Sequence, residues 1–290
     1  MTGKFLRKYL RQTFKILSLF LIGFILFALT ISAHDGLHEQ IVAITEEIKK
    51  DPNNAALYLK RAELYRLHAE WKNSEKDFAR TEKLDVNLTT AVNLGRGKLW
   101  LDAKQYSKAK LALAKFLAKE PAGFEGVLTM ARVSGKLKET KTAVKYFTQA
   151  ISISPQDSAE IYLERAETLV NARQIDEALR GLDAGIEKFG SLVTLQTAAI
   201  DLEVRRKNYD AALARLDKLA ATMERKESFQ FRRGEILLKA KRKCEARASL
   251  IEAQKSYENL SPFRKNVRAV KEQIVRLETL LKTIPAKTCQ

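Results

Sequence analysis

From Leu37 the apolar residues Leu37, Ile41, Ile44 and Ile48 recur at steps of four, three and four, which places them on one face of a helix. Further along, the apolar pattern acquires a second, longer period. Copies begin near Ala55, Thr90, Phe124, Ala159, Val193 and Glu227, at steps of 35, 34, 35, 34 and 34. The eighth position of the copies reads Ala62, Gly97, Ala131, Ala166, Ile200 and Gly234, small in all but one. The twentieth reads Ser74, Ala109, Ala143, Ala178, Ala212 and Ala246, and the twenty-fourth Phe78, Leu113, Phe147, Leu182, Leu216 and Leu250. Small residues at two places and a large one four residues after the second let two helices approach closely and interdigitate. The pattern therefore predicts a series of helical hairpins. Breaks fall between them at Asp51-Pro52, Pro121, Pro155 and Phe189-Gly190.

Composition agrees with helix nearly throughout. The chain has 290 residues, of which five are Pro and twelve Gly, and Ala, Leu, Lys, Arg and Glu dominate it. An apolar content of 46% is enough for a large core. The period and its residues resemble the tetratricopeptide repeat. Copy two carries most of that signature, with Gly97, Trp100, Tyr106, Ala109, Leu113 and Pro121. Copy one supplies Tyr58, Ala62, Tyr65, Trp71 and Phe78, and copy three Ala131, Ala143, Phe147, Ala150 and Pro155. The resemblance spans roughly residues 38 to 258 and implies an all-α, right-handed superhelical solenoid of about six hairpins. Ile200 and Glu203 depart from it in copy five, and copies four to six lack the closing proline.

A solenoid needs covered ends. Residues 34–54 are expected to form an N-terminal half-repeat helix on copy one, and residues 55–258 the repeats. Residues 259–290 are expected to form a capping helix, opened by Ser261-Pro262, with a tail. Its seam is Val267, Val270, Ile274, Leu277 and Leu281.

Residues 1–33 have the layout of a signal peptide or an N-terminal membrane anchor. Lys4, Arg7, Lys8, Arg11 and Lys15 precede an uncharged run from Ile16 to Ser32, and Ala33 offers a cleavage point. Cleavage and retention both stay open; in either case the rest of the chain is expected to be exported, periplasmic or tethered to the inner membrane. The two cysteines, Cys244 and Cys289, fit a disulfide in an oxidising compartment. Of the net charge of +17, residues 34–224 contribute little, with 30 basic against 28 acidic groups. Residues 225–290 hold 17 against 7, including a cluster of Lys239, Lys241, Arg242, Lys243 and Arg247. Export removes nucleic acid as the partner of that cluster, which leaves an anionic membrane surface, an acidic envelope protein or a solubilising end.

No nucleophile, zinc-protease or phosphate-loop spacing is present, so neither an enzyme nor a cofactor is expected. The resemblance implies instead a concave groove lined by first-helix positions, binding a protein or peptide segment. Those positions supply Leu59, Leu94, Leu128, Leu163 and Phe231, then Leu101 and Val170, with Lys98 and Arg132 among the charges at its margin. Whether these apolar residues line a groove or complete the core between repeats is open at this stage. A second candidate follows from cleavage after Ala33, which would leave His34 and His38 beside a free amino group as metal ligands.

Overall fold

In the computed structural model, residues 36–156, 158–190 and 192–289 are described. The expected signal or anchor segment 1–33 and His34 lie outside them. Every regular element among the described residues is a helix. The chain divides into two units at Glu139/Thr140, and each is described by itself.

Unit 1 holds α1 (36–50), α2 (Ala55–Leu67), α3 (Trp71–Leu84), α4 (Thr89–Asp102), α5 (Tyr106–Lys119) and α6 (Phe124–Lys136). α2 pairs with α3 and α4 with α5, and α2, α4 and α6 pack in series. The predicted stripe of α1 is buried at Ile41, Ile44 and Ile48, against Leu64 of α2. Arg61 fixes the same junction: its guanidinium donates to both oxygens of Asp77 (2.6 and 2.9 Å) and to Thr45 Oγ1 of α1 (3.0 Å). The rings of Tyr58 and Tyr65 flank it at 5.5 and 5.6 Å.

Unit 2 holds α7 (Thr140–Ile153), α8 (Ala159–Asn171), α9 (Ile175–Phe189), α10 (Val193–Arg205), α11 (Tyr209–Ala221), α12 (Glu227–Lys239) and α13 (Lys243–Glu258). A single turn α14 (Pro262–Lys265) and α15 (Arg268–Thr283) complete it. α8/α9, α10/α11 and α12/α13 are the paired helices. Gly190, at φ 74°, ends α9 in a conformation that other residues adopt only at a cost.

The small and large positions read from the sequence are the hairpin contacts. Ala109, Ala143, Ala178, Ala212 and Ala246 are fully buried, as are Phe78, Leu113, Leu182 and Leu250. Ser74 occupies the small position of copy one and adds a bond across the hairpin, its hydroxyl donating to Ala62 O at 2.8 Å. Ile200, the one large residue at an eighth position, is buried in the core of Ala212, Leu216 and Leu250. Glu203 is buried too, its charge met by Arg206 at 2.6 Å and Arg215 at 3.5 Å.

The hairpin turns share one geometry. Ala69, Lys104, Lys138, Arg173, Lys207 and Lys241 all lie in the left-handed region, with φ between 57° and 63°. In the first, Ala69 N–H donates to Arg66 O and Glu70 N–H to Tyr65 O, and the other five repeat that pair of bonds. This is the Schellman termination, which ordinarily takes glycine at its left-handed position.

The capping element departs from expectation in one respect. It is not one helix from Ser261: Asn266 closes the turn α14, and Val267 is extended (φ −62°, ψ 128°) before α15 starts. The break redirects the chain so that Leu277 and Ile284 bury against α12 and α13 in one core with Leu237 and Tyr257. Val267, expected in the seam, is instead 45% exposed.

Candidate partner-binding surfaces

In unit 1 the expected groove residues fall on neighbouring helices. Leu59 (α2), Leu94 and Leu101 (α4) and Leu128 (α6) are each half-buried. They are thus partly spent on packing and partly presented. The charges beside them are largely satisfied within the unit. Lys98 pairs with Glu125, and Arg66 bridges Glu63 (2.8 Å) and Asp102 (2.5 Å). Burial opposes the Arg66 charge, but these two carboxylates hold its guanidinium above the ordinary arginine range. Arg132 is exposed. The result is an apolar strip with a margin of ion pairs.

Unit 2 is different. Leu163 and Val170 are half-buried against the core of Tyr162, Leu169, Leu182 and Leu195. Phe231 is 4% exposed, which corrects its assignment to an open groove. α15 covers it: Arg276 lies 6.0 Å from its ring and reaches Glu235 at 2.6 Å. A cavity of about 430 Å³ remains between α12 and α15, lined by Phe231, Arg232, Glu235, Gln273 and Arg276 among others. A second, of about 240 Å³, sits between α10, α11 and α12, where Thr197, Ile200 and Asp201 meet Phe229 and Arg232. The first has mixed polar and charged walls, and the second is walled largely by apolar side chains, Leu216 and Leu219 among them.

The basic cluster divides in two. Arg242 donates to Asp210 (2.8 Å) and Glu245, and Arg247 Nε donates to Ile284 O (3.1 Å), so both arginines hold the fold together. Lys239, Lys241 and Lys243 are exposed. Cys244 and Cys289 form a disulfide, with Cα atoms 5.2 Å apart, that ties the tail to the start of α13. His38 of α1 stands 6.4 Å ring to ring from His68, whose Nδ1 is 2.8 Å from Glu70 Oε1. Among the described residues no group of three or more His, Cys, Asp or Glu is placed to hold a metal, and no helix is long and apolar enough to cross a membrane.

Of the left-handed turn residues only Lys241 was singled out from the sequence, as part of the basic cluster; the other five were missed. Five of the six are Lys or Arg, and the signal was present, because position fifteen of the period reads Ala69, Lys104, Lys138, Arg173, Lys207, Lys241.

No protein-family model and no curated protein matches the chain in sequence. Its fold is similar to that of a tetratricopeptide repeat protein from Parabacteroides merdae ATCC 43184, at TM-score 0.51 and 17% identity over 83% of this chain and 92% of that one. It is also similar to the C-terminal part of a repeat protein of the same kind from Cytophaga hutchinsonii, at TM-score 0.56 and 13% identity over 87% and 93% of the two chains. PilF from Pseudomonas aeruginosa matches at TM-score 0.50 and 18% identity, over 64% and 84%. Paired helices at a period of about 34 residues, small-to-large hairpin contacts and these likenesses together establish that the chain has the tetratricopeptide-repeat fold.

Proposed function

We propose that the chain is an exported, envelope-associated scaffold that holds a segment of a partner protein on the first-helix face of unit 1. The observation that carries this is the row of half-buried Leu59, Leu94, Leu101 and Leu128 on α2, α4 and α6. Burial of apolar surface there supplies affinity, and the flanking ion pairs set orientation and encounter rate. Unit 2, closed at Phe231 by its own capping helix, is the weaker candidate.

Co-purification from the native host is the test. Leu94→Glu with Leu128→Glu places two carboxylates on the strip and should abolish recovery of the partner, while far-ultraviolet circular dichroism stays helical. Capture that survives with the fold intact eliminates this face. The intact mass of the native protein decides the location: a chain beginning at His34 is a cleaved, exported scaffold, and a full-length chain is a tethered one.

A second reading, metal handling at a cleaved N-terminus through His34 and His38, draws support from the nearness of His38 to His68. Copper or zinc retention unchanged by His34→Ala with His38→Ala would remove it.

A further inference from the structure

The hairpin turns form a basic edge on each unit. Left-handed backbone strains any residue with a Cβ, and a tetratricopeptide turn admits glycine freely. Here five of six turns keep a lysine or arginine in that conformation. All five are exposed, and none forms an ion pair among the described residues. Strain maintained repeatedly at one chemical type calls for a role in which the charge itself is used.

Ion pairs between copies show that successive turns stand side by side. In unit 1, Arg66 reaches Asp102 across the first two turns, and Lys110 reaches Glu139 beside the third (2.6 Å). In unit 2, Arg206 reaches Asp176 (2.7 Å) and Arg242 reaches Asp210 (2.8 Å). These contacts use up the nearby carboxylates and leave Lys104 and Lys138 on one unit, and Arg173, Lys207 and Lys241 on the other, pointing their charge at solvent.

The occupant is indicated by where the chain enters. His38 of α1 lies 6.4 Å from His68, which adjoins the first turn, so the first described residues of α1 are at the turn edge of unit 1. Ala33, at the end of the basic and apolar N-terminal segment, is three residues before Gly36, the first described residue. Three residues reach no further than about 11 Å. A segment seated in a bilayer would therefore keep this edge within reach of the headgroups, and the charge of the edge decides whether it docks on them.

We propose that the turn edge of unit 1, through Lys104 and Lys138, docks on anionic lipid headgroups of the membrane that the N-terminal segment enters. The proposal rests on the tethered form of the reading above. Each juxtamembrane cation adds attraction to an anionic leaflet, and salt screens it.

The chain carries its own probes, since its two tryptophans lie at the turn edge of unit 1, Trp71 just after the Ala69 turn and Trp100 just before Lys104. The full chain is reconstituted into vesicles of neutral phosphatidylcholine, or of the same lipid with 30% phosphatidylglycerol, and tryptophan quenching by a headgroup-spin-labelled lipid is read. Quenching should appear with the anionic lipid and vanish at high salt. Lys104→Gly with Lys138→Gly should weaken docking about 30-fold, as expected for two cations. The same variant should melt at a higher temperature, so loss of docking cannot be loss of fold. Leu94→Glu with Leu128→Glu should leave quenching unchanged. Insertion without lipid-dependent quenching, or quenching indifferent to the two glycines, overturns the docking alone. Failure to insert overturns the tether and the docking together.

Discussion

Gly97 of α4 lies against Leu113 of α5 so closely that a Cβ on the glycine would stand 2.5 Å from Leu113 Cδ2 and 2.6 Å from its Cγ. Leu113 is fully buried and has no room to withdraw. Alanine in place of Gly97 would gain up to about 1 kcal/mol of helix propensity. Overpacking at a closed contact costs about 1–3 kcal/mol. Gly97→Ala should therefore destabilise unit 1 by about 1–2 kcal/mol in urea unfolding. Gly234→Ala should do the same to unit 2, where Leu250 stands at 2.6 Å. A stabilised Gly97→Ala would show that α4 and α5 can slide apart.

At the turns the opposite substitution should stabilise. Lys138 holds φ at 61° with a Cβ that strains that conformation. Relief of the strain is worth about 1–2 kcal/mol, less about 0.5–1 kcal/mol for the greater freedom of glycine in the unfolded chain. Lys138→Gly should raise stability by about 0.5–1 kcal/mol, with the urea m-value unchanged. Lys138→Val, branched at Cβ, should lower it. Equal midpoints for the three proteins would mean that the turn bears no strain.

These two cases mark what the sequence exposes. Ala109 and Phe78 announce the hairpins because side-chain volume decides how closely helices pack, and volume is written in residue type. The left-handed turns are harder to see, since Lys104 and Lys138 are good helix formers and nothing local distinguishes them from a solvated face. Position fifteen betrays them only when all six copies are aligned. Phe231 occupies the same position as Leu94, yet one is closed and the other half-open. The difference is made by α15, a helix more than thirty residues later, which no local pattern at Phe231 contains. The break at Asn266-Val267 was equally silent, having neither proline nor glycine.

Asp77 is 4% exposed and meets Arg61 with both oxygens. Removing one member of a buried pair leaves the other charge unmatched, at a cost of about 3–5 kcal/mol. Asp77→Ala should lose about 3 kcal/mol and free α1, because Arg61 also binds Thr45. Hydrogen exchange in α1 should rise with it. Arg61→Met combined with Asp77→Leu should recover most of the loss, which would be inconsistent with any role for the pair beyond satisfying its own charges.

Tyr257 gives the capping helix a pH limit. Burial first, and then the carboxylates of Glu227 and Glu235, push its phenol above the usual value. Its hydroxyl donates to Gln273 of α15 at 2.8 Å. A proton held more tightly in the folded state contributes stability that is intact below the unfolded pKa of about 10 and declines as pH rises through the folded value. Unit 2 should therefore weaken above about pH 10 in thermal unfolding. Tyr257→Phe, which has no proton to lose, should flatten that part of the curve relative to the parent.

The disulfide and the packing of the tail can be separated by reduction. Cys244 and Cys289 close a loop with a sequence separation of 45, for which the chain-entropy model gives about 4 kcal/mol. Part of the tail is held without the bond, since Ile284 is 1% exposed and its carbonyl accepts from Arg247. Cys289→Ser should therefore lower the stability of unit 2 by about 2–4 kcal/mol while α15 stays docked in the folded state. Arg247→Ala should change little in the oxidised protein and more in the reduced one, because the two restraints act on the same tail, from Ile284 to Cys289. If reduction instead releases α15 outright, seen as fast exchange from Arg268 to Thr283, then the cap is held by its disulfide and the buried Leu277 and Ile284 are insufficient to dock it.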